Sequence, residues 1–268
     1  MNEASKPRIL ITNDDSFTSE MLISLAKALS EYAHVTVIAP ATEMSGVSQS
    51  FTYANELHLQ RINSEDAFDF YSLSGTPSDC IKFGIAELCR TTPVDVVFSG
   101  INNGENAGVA AVYSGTIAGT REAALWSIPA IALSLTAKND FILSEALRVA
   151  CFIVQSKLYR HIKPGTFWNL NFPNATAETY GGIRVTSMGL DMFSDHYLDK
   201  GNENWLLEGC KPWENAGEKT DDAALYKNYA ALTPLTVDQT AYGELERVRN
   251  FFTEVSAKNE DTKCQIKN

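Results

Sequence analysis

Arg8 to Thr12 (RILIT) is a short β-branched run that breaks at Asn13-Asp14-Asp15-Ser16, and the stretch after it carries Leu22, Leu25, Ala26 and Leu29 at helical spacing. A second apolar run, His34 to Ala39 (HVTVIA), follows closely. Strand, polar corner, helix and strand make a β-α-β unit, whose crossover is right-handed in nearly all known cases. Both runs are continuously apolar rather than alternating, so both faces of the sheet need cover. That predicts an α/β fold: a mostly parallel sheet with helices on both faces.

The rest of the chain extends this plan. Residues 41–72 hold short alternating patches (Phe51-Thr52-Tyr53, Leu57-His58-Leu59) and are expected to form an inserted hairpin. Thr76, Pro77 and Asp79 stand at the N-cap, first and third positions of a helix expected to run from Cys80 to Leu88. Val94 to Ser99 (VDVVFS) reads as a strand, and Gly100 to Asn106 (GINNGEN) as a loop. A helix from Ser114 through Leu125, a strand from Ala130 to Leu135, a helix from Phe141 to Ser156 and a strand from Phe167 to Phe172 follow. Beyond Pro173 the pattern changes. Residues 1–173 are therefore expected to be the core, and 174–268 an excursion that leaves the sheet before a strand at Tyr229 to Pro234 and a helix from Asp238 to Lys258.

A formal charge of −11 opposes polymeric nucleic acid and anionic membranes as partners, because phosphate-backbone binding needs clustered Lys and Arg. An anionic small molecule remains admissible if a bound cation dominates the local field. Five widely spaced cysteines (Cys80, Cys89, Cys151, Cys210, Cys264) without a CxxC pair read as reduced thiols. With no long apolar stretch, the expectation is a cytoplasmic protein.

Open α/β sheets bind ligands outside the carboxyl ends of their strands. The Asn13-Asp14-Asp15 corner lies there. Any of these residues could cap the following helix, but a cap needs one carboxylate, and two adjacent ones repel unless a cation sits between them. Asn102 and Asn106 follow a strand expected to end on the same edge; each is either a turn former or a neutral oxygen ligand for a hard cation. Ser45-Gly46 reads as a turn, and Ser114-Gly115-Thr116 opens a helix whose N–H groups could receive a phosphate. P-loop, dinucleotide-fingerprint and nucleophile-elbow patterns are absent.

ILITNDDS at 9–16, Glu43-Met44-Ser45-Gly46 with Ser50 and Thr52, SGTPSDC at 74–80, VDVVFSGINNGENAG at 94–108, YSGTIAGTREAA at 113–124, NLNFP at 169–173 and LTPLTVD at 232–238 together resemble the SurE (survival protein E) family. The resemblance implies a Rossmann-like core and a 5′-nucleotidase that hydrolyses nucleoside 5′- and 3′-monophosphates. It also implies one divalent metal ion, Mg2+ or Mn2+, held by Asp14, Asp15, Ser45 and Asn102, with Asp14 or Asp15 handling the attacking water. Asn13, Gly46, Asn106, Ser114, Gly115 and Thr116 are then the expected substrate and phosphate contacts, and the excursion is expected to serve homodimer or homotetramer contacts. Two departures stand out. Ser16 occupies a position where the family usually has Gly, and Ser187-Met188-Gly189-Leu190-Asp191-Met192 replaces a basic, aromatic strip, which leaves short polyphosphate open as a further substrate. The rival reading is a non-catalytic nucleotide- or metal-sensing module.

Overall fold

The structure is a computed structural model, and it describes residues 6–62, 67–211 and 217–258. The strands are β1 (Arg8–Thr12), β2 (His34–Pro40), β3 (Leu59–Arg61), β4 (Asp69–Leu73), β5 (Val96–Asn103), β6 (Ala130–Leu135), β7 (Thr166–Phe172), β8 (Ile183–Val185), β9 (His196–Asp199), β10 (Trp205–Glu208) and β11 (Ala230–Thr236). The helices are α1 (Glu20–Ser30), α2 (Pro77–Phe83), α3 (Ala110–Tyr113), α4 (Gly115–Leu125), α5 (Asp140–Gln155), α6 (Asp221–Tyr226) and α7 (Leu245–Lys258).

Nine strands form one sheet in the order β3-β4-β2-β1-β5-β6-β7-β11-β8. The run from β4 to β7 is parallel throughout, and antiparallel pairing is confined to β3–β4 and β7–β11. Alternation within each strand divides the core into two layers. Ile9, Ile11 and Phe98 pack with Leu22, Leu25 and Leu29 of α1 and with Ile142 and Val149 of α5. Leu10 and Val97 point to the opposite face, against Ile81 of α2 and Ile117 of α4. The continuously apolar runs are therefore those of a sheet covered on both sides.

Several boundaries differ from the sequence expectation. The Gly100-Asn103 stretch is not loop: β5 continues to Asn103, pairing Asn102 with Ser134 after a register shift between Ser99 and Asn102. A bulge of this kind re-aims side chains at the strand end, and glycine and asparagine tolerate it. The capping box at Thr76 and Asp79 forms, but regular α-helix stops at Phe83 and a single π-helical stretch continues to Leu88. The excursion does not wholly leave the sheet, since β8 adds in parallel to β11 as an edge strand. One compact unit extends through Val237, and a second begins at Asp238. In that second unit Asp238 accepts the Thr240 N–H, and α7 begins at Leu245 rather than at Asp238. Among the described residues no helix is long and apolar enough to cross a membrane.

Candidate functional site

Chain order reverses around β1, with β2 on one side and β5 on the other. Such a switch point opens a crevice at the carboxyl ends of the strands. The corner after β1 and the end of β5 meet there. Asp14, Ser45, Gly46, Asn102, Asn106 and Ser114 line one shallow cleft of about 240 Å³. Asn103, Ala110, Tyr113 and Phe193 complete its lining.

The helix start at Ser114 positions Asp14. Ser114 caps α4 by accepting the Ile117 N–H at 3.1 Å. The Thr116 N–H donates to Asp14 Oδ2 at 3.0 Å and its hydroxyl to Oδ1 at 2.5 Å, while the Gly115 N–H also bonds the carboxylate. The positive end of α4 is thus directed at the carboxylate of the chain itself. Gly115 is required by this approach, because a Cβ there would lie 2.9 Å from Asp14 Cβ and 3.0 Å from Met44 O. Thr116, expected among the phosphate contacts, gives both its N–H and its hydroxyl to Asp14.

The Asn13 amide donates to Ser16 O at 2.9 Å and closes the corner beside the cleft. Ser16 has φ 78°, the left-handed region where glycine is unstrained, and its hydroxyl contacts the Thr18 hydroxyl at 2.9 Å. The loop after β2 is tied to the corner by the Met44 N–H donating to Asp14 O at 2.8 Å, and exposed Ser45 donates to Glu43 Oε1. Asn102 donates its amide to Gly104 O at 2.7 Å, which leaves its Oδ1 as the group suited to a cation.

Asn106 sits in a buried amide network. Its N–H donates to Asn171 Oδ1, its amide to Ser134 Oγ, and its carbonyl accepts from Asn169. The NLNFP segment thus fixes the loop after β5, a role invisible in spacing alone.

Burial pushes the Asp14 carboxyl up, against hydrogen bonds from Thr116 and Gly115 that pull it down. Asp15 is pushed up to about 6 by burial first and by the Asp14 charge next, with Glu43 adding and the Asn103 N–H opposing. Asp15 Oδ2 and Asn13 Oδ1 are buried without a hydrogen-bond partner among the described residues. Two carboxylates that resist ionising together, an orphaned carboxylate oxygen and an amide whose NH2 is already engaged are the donor chemistry of a hard divalent ion. The set fits that ion although, among the described residues, no cluster of three His, Cys, Asp or Glu occurs: two of the four groups are a hydroxyl and an amide.

A further buried cluster braces the cleft. The Asp221 carboxylate accepts the N–H groups of Gly108 and Gly189, each at 2.8 Å. Asp222 pairs with Lys211 Nζ at 2.7 Å, both side chains being 3% exposed, and Lys211 donates to Ala107 O at 2.6 Å. A Cβ on Gly108, whose φ is +52°, would collide with the Asp222 carboxylate. Sequence reading missed Lys211, Asp221, Asp222 and Phe193, because single residues in an aperiodic stretch give no pattern, and it passed over Tyr113 as the residue before a helix cap.

The sequence profile of the family described as Survival protein SurE matches residues 9–195. The chain is 32% identical to a protein of Alkaliphilus metalliredigens called 5′-nucleotidase SurE, covering 91% of this chain and 98% of that one. It is 35% identical to the protein of the same name from Rhodopirellula baltica, covering 91% and 98%. The crystal structure of the SurE protein from Aquifex aeolicus superposes with a TM-score of 0.80 at 30% identity, covering 91% of this chain and 99% of that one. With its acidic corner and its bulged, Asn-bearing β5 end at the β1/β5 switch point, this chain belongs to the SurE family.

Proposed function

We propose that the chain is a 5′-nucleotidase that hydrolyses nucleoside 5′- and 3′-monophosphates to nucleoside and phosphate, using one divalent ion, Mg2+ or Mn2+. The observation that carries this reading is the meeting of Asp14 with Asn102 in the cleft at the switch point, with Asp15 next to Asp14 and in reach of the Asn103 N–H, and the name borne by the relatives supports it. Asp14, Asp15, Ser45 and Asn102 would hold the ion. Bound there, it would neutralise phosphoryl charge and acidify a water. Asn106 and Ser114, facing the same cleft, would orient phosphate oxygens, and Asp15 would accept the proton of the attacking water.

The nine-stranded unit would carry catalysis. Exposed Tyr197, Trp205 and Leu207 on the β9–β10 hairpin, and exposed Leu245, Val248, Phe251 and Phe252 on α7, support homodimer or homotetramer contacts. Cys80, Cys89, Cys151 and Cys210 are free thiols, consistent with work in the cytoplasm; Cys264 lies outside the described residues.

Phosphate release from AMP tests the reading. EDTA should abolish it, Mn2+ or Mg2+ should restore it, and Asp14→Asn should stay inactive while folded. Turnover insensitive to EDTA would overturn the metal assignment, and no turnover with any ion would favour the non-catalytic sensing module.

A further inference from the structure

The cleft lining has two chemistries. Asp14, Asn102 and Asn106 supply oxygens and amides, whereas Tyr113 and Phe193 supply aromatic surface. Tyr113 is 54% exposed, and among the described residues neither ring packs against another ring. The rings offer, apart from the Tyr113 hydroxyl, nothing that reads the hydrogen-bonding edge of a ligand. A phosphate chain would gain little from such a wall. A flat heteroaromatic group would gain a stacking surface indifferent to its identity, because every base has a π-face.

Phe193 is also held in place. The Lys211 ammonium lies 5.5 Å from its ring centroid, within cation–π range. That ammonium is tied to Asp222 and to Ala107 O, and Asp221 joins Gly189 on the Phe193 side to Gly108 on the Asn106 side. The ring is therefore braced against the loop that carries Asn106, and a braced ring loses less conformational freedom on binding.

We propose that Phe193, with Tyr113, is the platform on which the base of the nucleotide stacks, and that it sets preference for nucleotides over phosphate esters lacking a base. The inference rests on the nucleotidase reading of the same cleft. It further requires weak discrimination among bases, since shape and stacking rather than edge contacts do the selecting.

The test compares AMP and CMP with ribose 5-phosphate, the same ester without a base, on full-length metal-loaded enzyme. Wild type should show a lower KM for AMP than for ribose 5-phosphate, and AMP and CMP should differ by less than about tenfold. Phe193→Leu should raise the AMP KM by about tenfold at unchanged kcat, leave ribose 5-phosphate unaffected, and be rescued by Phe193→Tyr. A Phe193→Leu variant that loses both substrates equally, or neither, overturns the platform. So does a wild type that shows no preference for AMP over ribose 5-phosphate, a comparison that needs no variant to fold. Wild type that hydrolyses neither overturns the nucleotidase reading and this inference with it.

Discussion

In protein stripped of divalent ions, Asp15→Asn is predicted to raise stability at pH 8, by an amount that narrows as the pH falls toward 4.5. Burial and the Asp14 charge lift the Asp15 carboxyl from its ordinary 3.8 to about 6, so the folded state holds that proton more tightly than the unfolded chain does. For a carboxyl raised this way the native state is favoured below pH 3.8 and loses the advantage as pH climbs through about 6. At about 1.36 kcal/mol per pH unit the lift corresponds to about 3 kcal/mol. Asp15 is only partly buried, and solvent screening reduces the expressed share to about 1–2 kcal/mol. Asparagine keeps the shape and removes the charge. In a unit of this size the gain is roughly 2–8 °C in Tm at pH 8. Thermal melts in EDTA from pH 4.5 to pH 8 read it directly. Saturating Mn2+ should reverse the order, because a ligand stabilises only the protein that binds it. An Asn variant that is no more stable at pH 8 in EDTA, or whose gain does not shrink with falling pH, refutes the argument.

Thr116→Val removes the hydroxyl that donates to Asp14 Oδ1, a bond to a charged group worth about 1.5–3 kcal/mol. Its kcat/KM for AMP should fall about tenfold or more, while Thr116→Ser stays near wild type. Ser16→Gly should be more stable in urea than Ser16→Ala by about 1–2 kcal/mol, because both lose the Thr18 contact and only glycine relieves the φ of 78°. Lys211→Met leaves the Asp222 carboxylate buried and uncompensated and should cost about 3–5 kcal/mol in urea unfolding, much of it recovered in the double variant Lys211→Met with Asp222→Leu.

Local signals reached far along this chain because the fold is built from parallel units. Apolar runs with polar breaks locate β1, β2, β6 and β7, and the Thr76–Asp79 box forms as its residue types demand. The signals failed where a backbone group finds its partner at long range. Gly100 to Asn103 has the composition of a loop, yet β6 supplies hydrogen-bond partners that keep it a strand. The stretch after Pro173 has no period, yet β11 recruits β8 to the sheet edge.

The same division runs through the site. Sequence by itself determined the acidic corner and the cap at Ser114, because strand ends and helix starts draw on residue types that local chemistry selects. Only the tertiary structure decided what those groups do. It directs the first N–H groups of α4 at Asp14 and spends the Asn13 amide on closing the corner. It also brings Phe193 to a cleft whose other walls come from Asp14 to Ser114, and ties the Lys211–Asp222 pair to Ala107 behind it. Such contacts depend on how separate segments pack, and no periodicity within either segment encodes them.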